Sequence, residues 1–348
     1  MAEALHSTGK RLRIVFISLL LLVLVFFLLD IFFGSVSISA SDVFKVFFQN
    51  TASPLKTIIF NFRIPKALTA LTVGIALSLS GLQMQTLFRN PMAGPDVLGI
   101  SSGASLGVAF VILGFSANMS AESLRGLGNW ILIAASWIGA GAVMILIMSI
   151  SSRVRDIMTI LIIGIMLSSG ISAIVTIMQY FSAESLLKAY VIWTMGSLGN
   201  LTSDQLNVLL ICVSAGILLS LLSAKMLNAV SLGENYATSI GLNVKLSRLV
   251  IFVSTSILAG SVTAFCGPIG FIGIAVPHIS RILLRTSDHK ILLPGTILTG
   301  GIIMLISDII SQLPGSESVL PVNSVTSLIG IPVVIWVIFR NRKYSGVL

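Results

Sequence analysis

Long apolar runs separated by short polar interruptions follow one another along the whole sequence. Many of these runs approach or exceed the roughly 20 residues that cross a bilayer as a helix. They predict ten helices, at residues 14–33, 66–87, 97–115, 129–150, 157–178, 206–224, 246–265, 269–284, 292–311 and 323–339. The pattern therefore predicts an all-α, polytopic membrane protein in which residues 1–348 form a single transmembrane domain.

The first apolar run follows three basic residues and so imitates a secretory signal. It is longer than the roughly 7–15 apolar residues of a signal peptide, and the small residues that could form a cleavage site do not follow it directly. We interpret it as an uncleaved first span. Composition agrees with a membrane protein, because 55% of the residues are hydrophobic and 9% are charged, whereas soluble domains carry roughly 25% charged residues.

The net charge of +9 reports orientation in the membrane. Both ends of the chain are basic, and an even number of spans places them on the same side. With both termini in the cytoplasm, fifteen of the 21 lysines and arginines lie on the cytoplasmic side, as the positive-inside rule requires. Because the basic residues form no single patch, we predict no nucleic-acid partner. Cys212 and Cys266 stand alone and indicate neither a disulfide nor a metal site.

The predicted helix centres contain no Asp, Glu, Lys or Arg. Carriers that couple a solute to an ion gradient generally need an ionisable group within the membrane. The chain also lacks the Gly-x-x-x-x-Gly-Lys-Ser/Thr loop that cradles nucleotide phosphates. An ion-coupled secondary transporter is therefore the weaker alternative, and uphill transport would take its energy from another chain. An intramembrane enzyme would need a nucleophile paired with a base within the spans, and the sequence shows no such pair.

The fifth predicted helix carries neutral polar side chains on one face: Ser168, Ser172, Thr176 and Gln179. Their spacing of three or four residues aligns them along the helix. Such a stripe predicts a lining for a solute pathway. The alternative is that the hydroxyls bond to carbonyls of their own or a neighbouring helix and only hold the bundle together.

The second predicted helix has unusual residues at both ends. Arg63 and Lys66 flank Pro65 at its outer start. Cations at the start of a helix are unfavourable toward the helix dipole, and on the outer side they also run against the excess of basic residues in the cytoplasm. These two residues predict an acidic protein partner outside, with lipid phosphate as the alternative. At the inner end, "RNPMAGP" stops the helix with a rigid turn of the kind tolerated beside a cavity. That turn is a candidate gate.

Four segments of the sequence together resemble the FecCD family of ABC-transporter permeases, which import iron chelates, haem and vitamin B12. They are "RIPKALTALTVGIALSLSGLQMQTLFRNPMAGPDVLGISSGASLG", "SLGENYATSIGLN", "GPIGFIGIAVPHISRILLRTSDHKILLPGTILTGG" and "LPVNSVTSLIGIPVVIW". The resemblance implies ten spans per subunit and a dimer of permeases, either a homodimer or a pair of related chains. It also implies two cytoplasmic ATPase subunits, a substrate-binding protein outside, a location in the cytoplasmic (inner) membrane, and no cofactor, resident metal or enzymatic activity of the chain itself.

The resemblance also assigns roles to particular residues. Arg63 and Lys66 match the basic residues that contact the binding protein, although Lys66 replaces the usual second arginine and Gln312 stands where some members have another cation. The cytoplasmic gate corresponds to Asn90, Pro91, Ile157 and Met158. Since Ile157 and Met158 are apolar where the B12 member has hydroxyls, we expect closure by dewetting.

The polar segment at residues 230–243 matches the family's coupling element, which fits a cleft in the ATPase. The matching residues are Leu232, Gly233, Glu234, Ala237 and Gly241. Glu234 suits the positive start of a short helix, Ala237 is expected to leave a small contact surface, and Gly241 is expected to end the helix in a left-handed conformation. From the residues alone, an ordinary solvated loop is the alternative.

The substrate is the least determined part of this interpretation. The segment "FRNPMAGP" resembles the ferric-siderophore members more than the B12 members, which tend to have an acidic residue before Asn-Pro. We therefore expect a ferric siderophore, with haem or vitamin B12 as alternatives within the same family.

Overall fold

The computed structural model describes residues 2–34, 54–114, 129–154, 156–313 and 319–342. In these ranges the regular structure is helical. We number the helices α1 (Ala2–Phe32), α2 (Ile64–Leu87), α3 (Ile100–Ile112), α4 (Asn129–Arg153), α5 (Ile157–Phe181), α6 (Glu184–Thr194), α7 (Ser203–Leu222), α8 (Ala224–Ser231), α9 (Glu234–Ser239), α10 (Val244–Cys266), α11 (Ile272–Leu284), α12 (His289–Ser311) and α13 (Val322–Arg342).

Each of the ten predicted spans overlaps one of these helices, which confirms the all-helical polytopic class. Seven described helices are long and apolar enough to cross a membrane, and α3, α11 and part of α13 are shorter apolar helices. Two predicted starts were early. Helix α3 begins after Gly99, which has a left-handed φ of 75°, and α11 begins after Phe271, whose φ of 67° interrupts the helix.

Helix α2 is the centre of the bundle, and it packs against α7, α10, α11 and α12. In the most apolar stretch of α2, 83% of the residues are buried inside the subunit, whereas the shares for α1 and α5 are 17% and 22%. Helix α2 is also less hydrophobic than those two helices, with a mean hydropathy of 1.5 against 3.2 for α1 and 2.4 for α5. Small and polar side chains suit contacts between helices within a membrane. Helices α1 and α5 therefore lie on the periphery of the subunit.

The helix ends meet at two opposite ends of the bundle. At one end, Arg11 near the start of α1 donates to the carbonyl of Leu283 near the end of α11, at 3.0 Å. At the other, Lys66 at the start of α2 pairs with Asp308 near the end of α12, at 3.0 Å. We call the end with Arg11 cytoplasmic and the end with Lys66 outer, following the predicted charge distribution.

Helices α3 and α4 approach each other through glycine. A Cβ added to Gly103 would lie 2.5 Å from the carbonyl oxygen of Gly139. We expect Gly103→Ala to reduce stability by about 1–3 kcal/mol, the usual cost of overpacking a close contact. The measurement is the thermal stability of the purified chain in detergent. Gly141→Ala is the matched control, since nothing lies within 4 Å of its added Cβ; equal stability of the two variants would contradict the close approach.

Candidate functional site

The coupling segment, residues 230–243, contains a short helix between two glycines with positive φ. Gly233 has φ 112° and Gly241 has φ 84°, values that favour glycine. Helix α9 lies between them, and the amide of Leu242 bonds to the carbonyl of Ala237 at 3.0 Å. Both glycines therefore occupy positions where the backbone requires them, as the sequence predicts for Gly241.

Glu234 binds Arg248 of α10 through a forked ion pair. Arg248 Nη2 lies 2.6 Å from Glu234 Oε1 and 2.7 Å from Oε2, and Nε lies 3.0 Å from Oε1. Arg248 Nη1 also donates to the carbonyl of Val154, at 3.3 Å. A planar guanidinium with several fixed donors suits such a shared role. One side chain thus joins the coupling segment to the connection between α4 and α5.

The coupling segment exposes three large apolar side chains among polar ones such as Asn235 and Thr238. Leu232, Tyr236 and Ile240 are 66%, 49% and 57% exposed, whereas Ala237 is fully buried. The contribution of Ala237 to a small contact surface therefore stays a prediction. Its small side chain lies beneath α9, where it lets the helix pack against the subunit.

The candidate gate turn, Arg89–Gly94, follows α2 and is fixed by local hydrogen bonds. Asn90 Oδ1 accepts from the amide of Met92 at 2.9 Å, and His278 Nε2 donates to the carbonyl of Pro91 at 2.8 Å. A Cβ added to Gly233 would lie 3.6 Å from Arg89 Nη1. The gate turn and the coupling segment are therefore spatial neighbours.

The second candidate gate segment is the start of α5, which Asp156 caps. Asp156 Oδ2 accepts from the hydroxyl and amide of Thr159, at 2.6 and 2.9 Å. The Thr159 hydroxyl in particular holds the pKa of the Asp156 carboxyl below its usual range. Ile157 is buried in the subunit, so of the predicted pair only Met158, 40% exposed, presents its side chain at the surface.

The polar stripe of α5 meets an open cavity of about 490 Å³. Ser172, Thr176 and Gln179 line it, and Ser168 does not. The hydroxyls of Ser168 and Thr176 both donate to carbonyls of their own helix, those of Gly164 and Ser172, each at 2.9 Å, as the packing alternative predicts. The other polar lining residues are Asp96, Ser101, Ser102, Ser105, Tyr190, Asn323 and Ser327.

The two outer cations, Arg63 and Lys66, belong to a largely buried polar cluster. Arg63 Nη1 donates to the carbonyls of Ile31 and Phe32 at 2.7 and 2.9 Å. Lys66 pairs with Asp308, which is fully buried, and its own side chain is 20% exposed. Gln312 Nε2 bridges Asp308 and Asp30, at 3.2 and 3.3 Å. The remaining exposed surface of Arg63 and Lys66 lines a cavity at the outer end.

Sequence reasoning missed Arg248, Asp308 and Asp30 as partners of the candidate residues. The sequence says little about whether a charged residue at the end of an apolar helix has a partner in the protein, because such a position can face water or protein equally well. The pairing of Lys66 with Asp308 requires knowledge of which helices are neighbours.

Comparison with known proteins shows similarity to membrane permeases of one transport family. A model of the FecCD transport family matches residues 21–340. The chain is 34% identical over 311 residues to the hemin transport system permease protein HmuU of Yersinia pestis, covering 89% of this chain and 90% of that protein. It is 37% identical over 285 residues to the vitamin B12 import system permease protein BtuC of Klebsiella pneumoniae subsp. pneumoniae, covering 82% and 83%.

A solved structure of a metal-chelate type ABC transporter in an inward-facing conformation is also similar. It superposes with a TM-score of 0.80 at 29% identity, covering 94% of this chain and 99% of that chain.

Proposed function

The chain belongs to the FecCD transport family, and from that membership we infer that it is the membrane-spanning permease subunit of an ATP-binding-cassette importer. It is a multi-pass membrane protein. We propose the cytoplasmic membrane as its location, one permease domain over residues 1–348, and ATP hydrolysis on separate subunits. Family membership sets aside the ion-coupled secondary transporter.

The observation that carries the proposed energy transfer is the projecting coupling segment. Its exposed face bears three large apolar side chains, Leu232, Tyr236 and Ile240. A rigid helix with large apolar side chains on its outer face suits a groove on a soluble partner. We propose that this face contacts one of two cytoplasmic ATPase subunits and that Glu234 holds α9 in place through Arg248.

The open cavity beside α5 supports a solute pathway shared between two copies of the chain. Helices α5 and α13 both line the cavity, and both also carry exposed apolar residues such as Ile177 and Leu328. A second copy packed on this face would close the open side and bury those residues. We propose a homodimer with the pathway at its centre and with Asn90, Pro91 and Met158 near its cytoplasmic exit.

The substrate that we propose is a ferric siderophore. The similarity to a metal-chelate type transporter supports this class, and the relatives named for hemin and vitamin B12 make those ligands the other candidates to test. A substrate-binding protein outside would select among them. We propose that an acidic side chain of that protein enters the outer cavity to reach Lys66 and Arg63.

Filling the cavity should block transport. We expect Thr176→Trp to lower substrate uptake at least about tenfold, because the added ring occupies space that the solute must cross. The measurement is ATP-driven uptake by proteoliposomes that contain the permease with its ATPases and binding protein. Ile211→Trp is the control, since Ile211 is exposed on α7 and does not line the cavity. Uptake that survives Thr176→Trp would remove the cavity from the pathway.

The test of the proposed function is reconstitution with candidate binding proteins. ATP hydrolysis and uptake are measured with a ferric siderophore, haem and cobalamin in turn. Stimulation by a ferric siderophore is the expected result. Stimulation only by haem or cobalamin would reassign the substrate, and the lack of ATP-dependent uptake of any of the three would contradict the proposal.

A further inference from the structure

Asn228, on α8 just before the coupling segment, binds residues of another helix at its start. Its Nδ2 donates to Asp288 Oδ1 at 2.7 Å. Its Oδ1 accepts from the amide of His289 at 2.8 Å and lies 2.7 Å from His289 Nδ1. Asn228 therefore fastens the helix that leads into the coupling segment to the cytoplasmic start of α12.

The chemistry of these contacts determines which atoms of Asn228, Asp288 and His289 donate and which accept hydrogen bonds. The amide of Asn228 lowers the pKa of the Asp288 carboxyl, which is therefore ionised at neutral pH and can only accept hydrogen bonds. Asn228 must then turn its oxygen toward His289, so His289 Nδ1 carries a proton and donates it. In a neutral imidazole, Nε2 is left as an acceptor.

Thr86 is the partner of this nitrogen. Thr86 Oγ1 lies 2.8 Å from His289 Nε2, and both side chains are buried. The same oxygen lies 2.8 Å from the carbonyl of Leu82, so the single hydroxyl proton has two acceptors within reach and serves His289 when it turns toward Nε2. Thr86 belongs to the last turn of α2, and the gate turn begins three residues later at Arg89. On the other side of α2, Arg281 Nη1 donates to Gln85 Oε1 at 2.5 Å. The end of α2 is thus held between α11 and α12 by polar contacts.

We propose that Asn228, His289 and Thr86 form a positioning link that carries displacement of the coupling segment to the gate turn. This inference rests on the proposed function, since it needs an ATPase to move the coupling segment. Each contact is buried or half-buried and satisfies a polar group that would be costly to leave unpaired. Movement of α8 therefore draws the start of α12 and the end of α2 with it. The link acts through other residues and touches no substrate.

Thr86→Val tests the link, because valine keeps the shape of threonine and lacks the hydroxyl. Thr86→Ser restores the donor. Thr72→Val is the matched control, since Thr72 lies on the same helix and its hydroxyl bonds only to the carbonyl of Leu68 among the described contacts, at 2.7 Å. The readout is the number of substrate molecules imported per ATP hydrolysed by the reconstituted importer, which general loss of folded protein would not change.

We expect Thr86→Val to lower this ratio at least about fivefold, as loss of a donor to a buried nitrogen implies, and Thr86→Ser and Thr72→Val to stay near the wild-type ratio. Asn228→Ala should add nothing to Thr86→Val, because both break one link. An unchanged ratio in Thr86→Val, or an equal fall in Thr72→Val, would overturn the link. Wild-type chain without ATP-dependent uptake would instead contradict the proposed function itself.

Discussion

Glu234→Arg is expected to reduce ATP-driven uptake to background while the chain still inserts and dimerises in the membrane. The substitution places a second cation against Arg248, whose side chain is only 6% exposed. Removing one partner of a well-buried charge pair is costly because the other charge loses its compensation. Helix α9 would then lose its attachment to α10 and to the carbonyl of Val154, and closure of the ATPases would no longer reach the membrane helices.

The measurement is uptake by proteoliposomes with ATPases present, together with gel filtration of the purified chain. The double variant Glu234→Arg/Arg248→Glu is the control, because it restores an opposite-charge pair within the permease. We expect it to recover much of the uptake. A double variant that stays inactive would show that the ATPase itself reads the charge at position 234, and normal uptake by Glu234→Arg alone would refute the role of the segment.

Lys66→Met is expected to destabilise the chain by about 3–5 kcal/mol, the cost of leaving a buried charge without its partner. Asp308 is fully buried, so the loss of the ammonium leaves its carboxylate without an opposite charge in a poorly hydrated site, with Asp30 close by through Gln312. The effect should appear as a lower unfolding temperature in detergent, without any binding protein present.

Two controls separate this internal role from a docking role. Lys66→Met/Asp308→Asn removes both charges and should recover most of the stability, whereas Lys188→Met changes an exposed cation on the same side and should change little. If Lys66→Met kept full stability and lost only affinity for the binding protein, Lys66 would act at the surface alone.

The helices could be predicted from the sequence because the membrane requires long apolar segments whatever their neighbours are. The bends at Gly233 and Gly241 could also be anticipated, since glycine tolerates conformations that other residues avoid. The burial of Ile157 and Ala237 could not be predicted in this way. Both are small or apolar residues in a predicted functional segment, and their burial depends on how the segment packs.

The contacts between distant segments could not be predicted from one sequence. Asn228 and His289 are 61 positions apart, and Gln312 and Asp30 are 282 positions apart. Nothing in the local pattern around any of these residues names its partner. Arg63 and Lys66 were recognised as unusual because of their position, yet only the packing of α2 against α1 and α12 shows that much of their charge is used inside the subunit.

The most direct test of the account is uptake by the purified chain with and without nucleotide-hydrolysing subunits. Proteoliposomes are loaded with ATP or given a proton or sodium gradient, and entry of the substrate is followed in the presence of the binding protein. The account predicts uptake only with both ATP and the ATPase subunits, and none with an ion gradient alone. Gradient-driven uptake by the chain without the ATPases would contradict it.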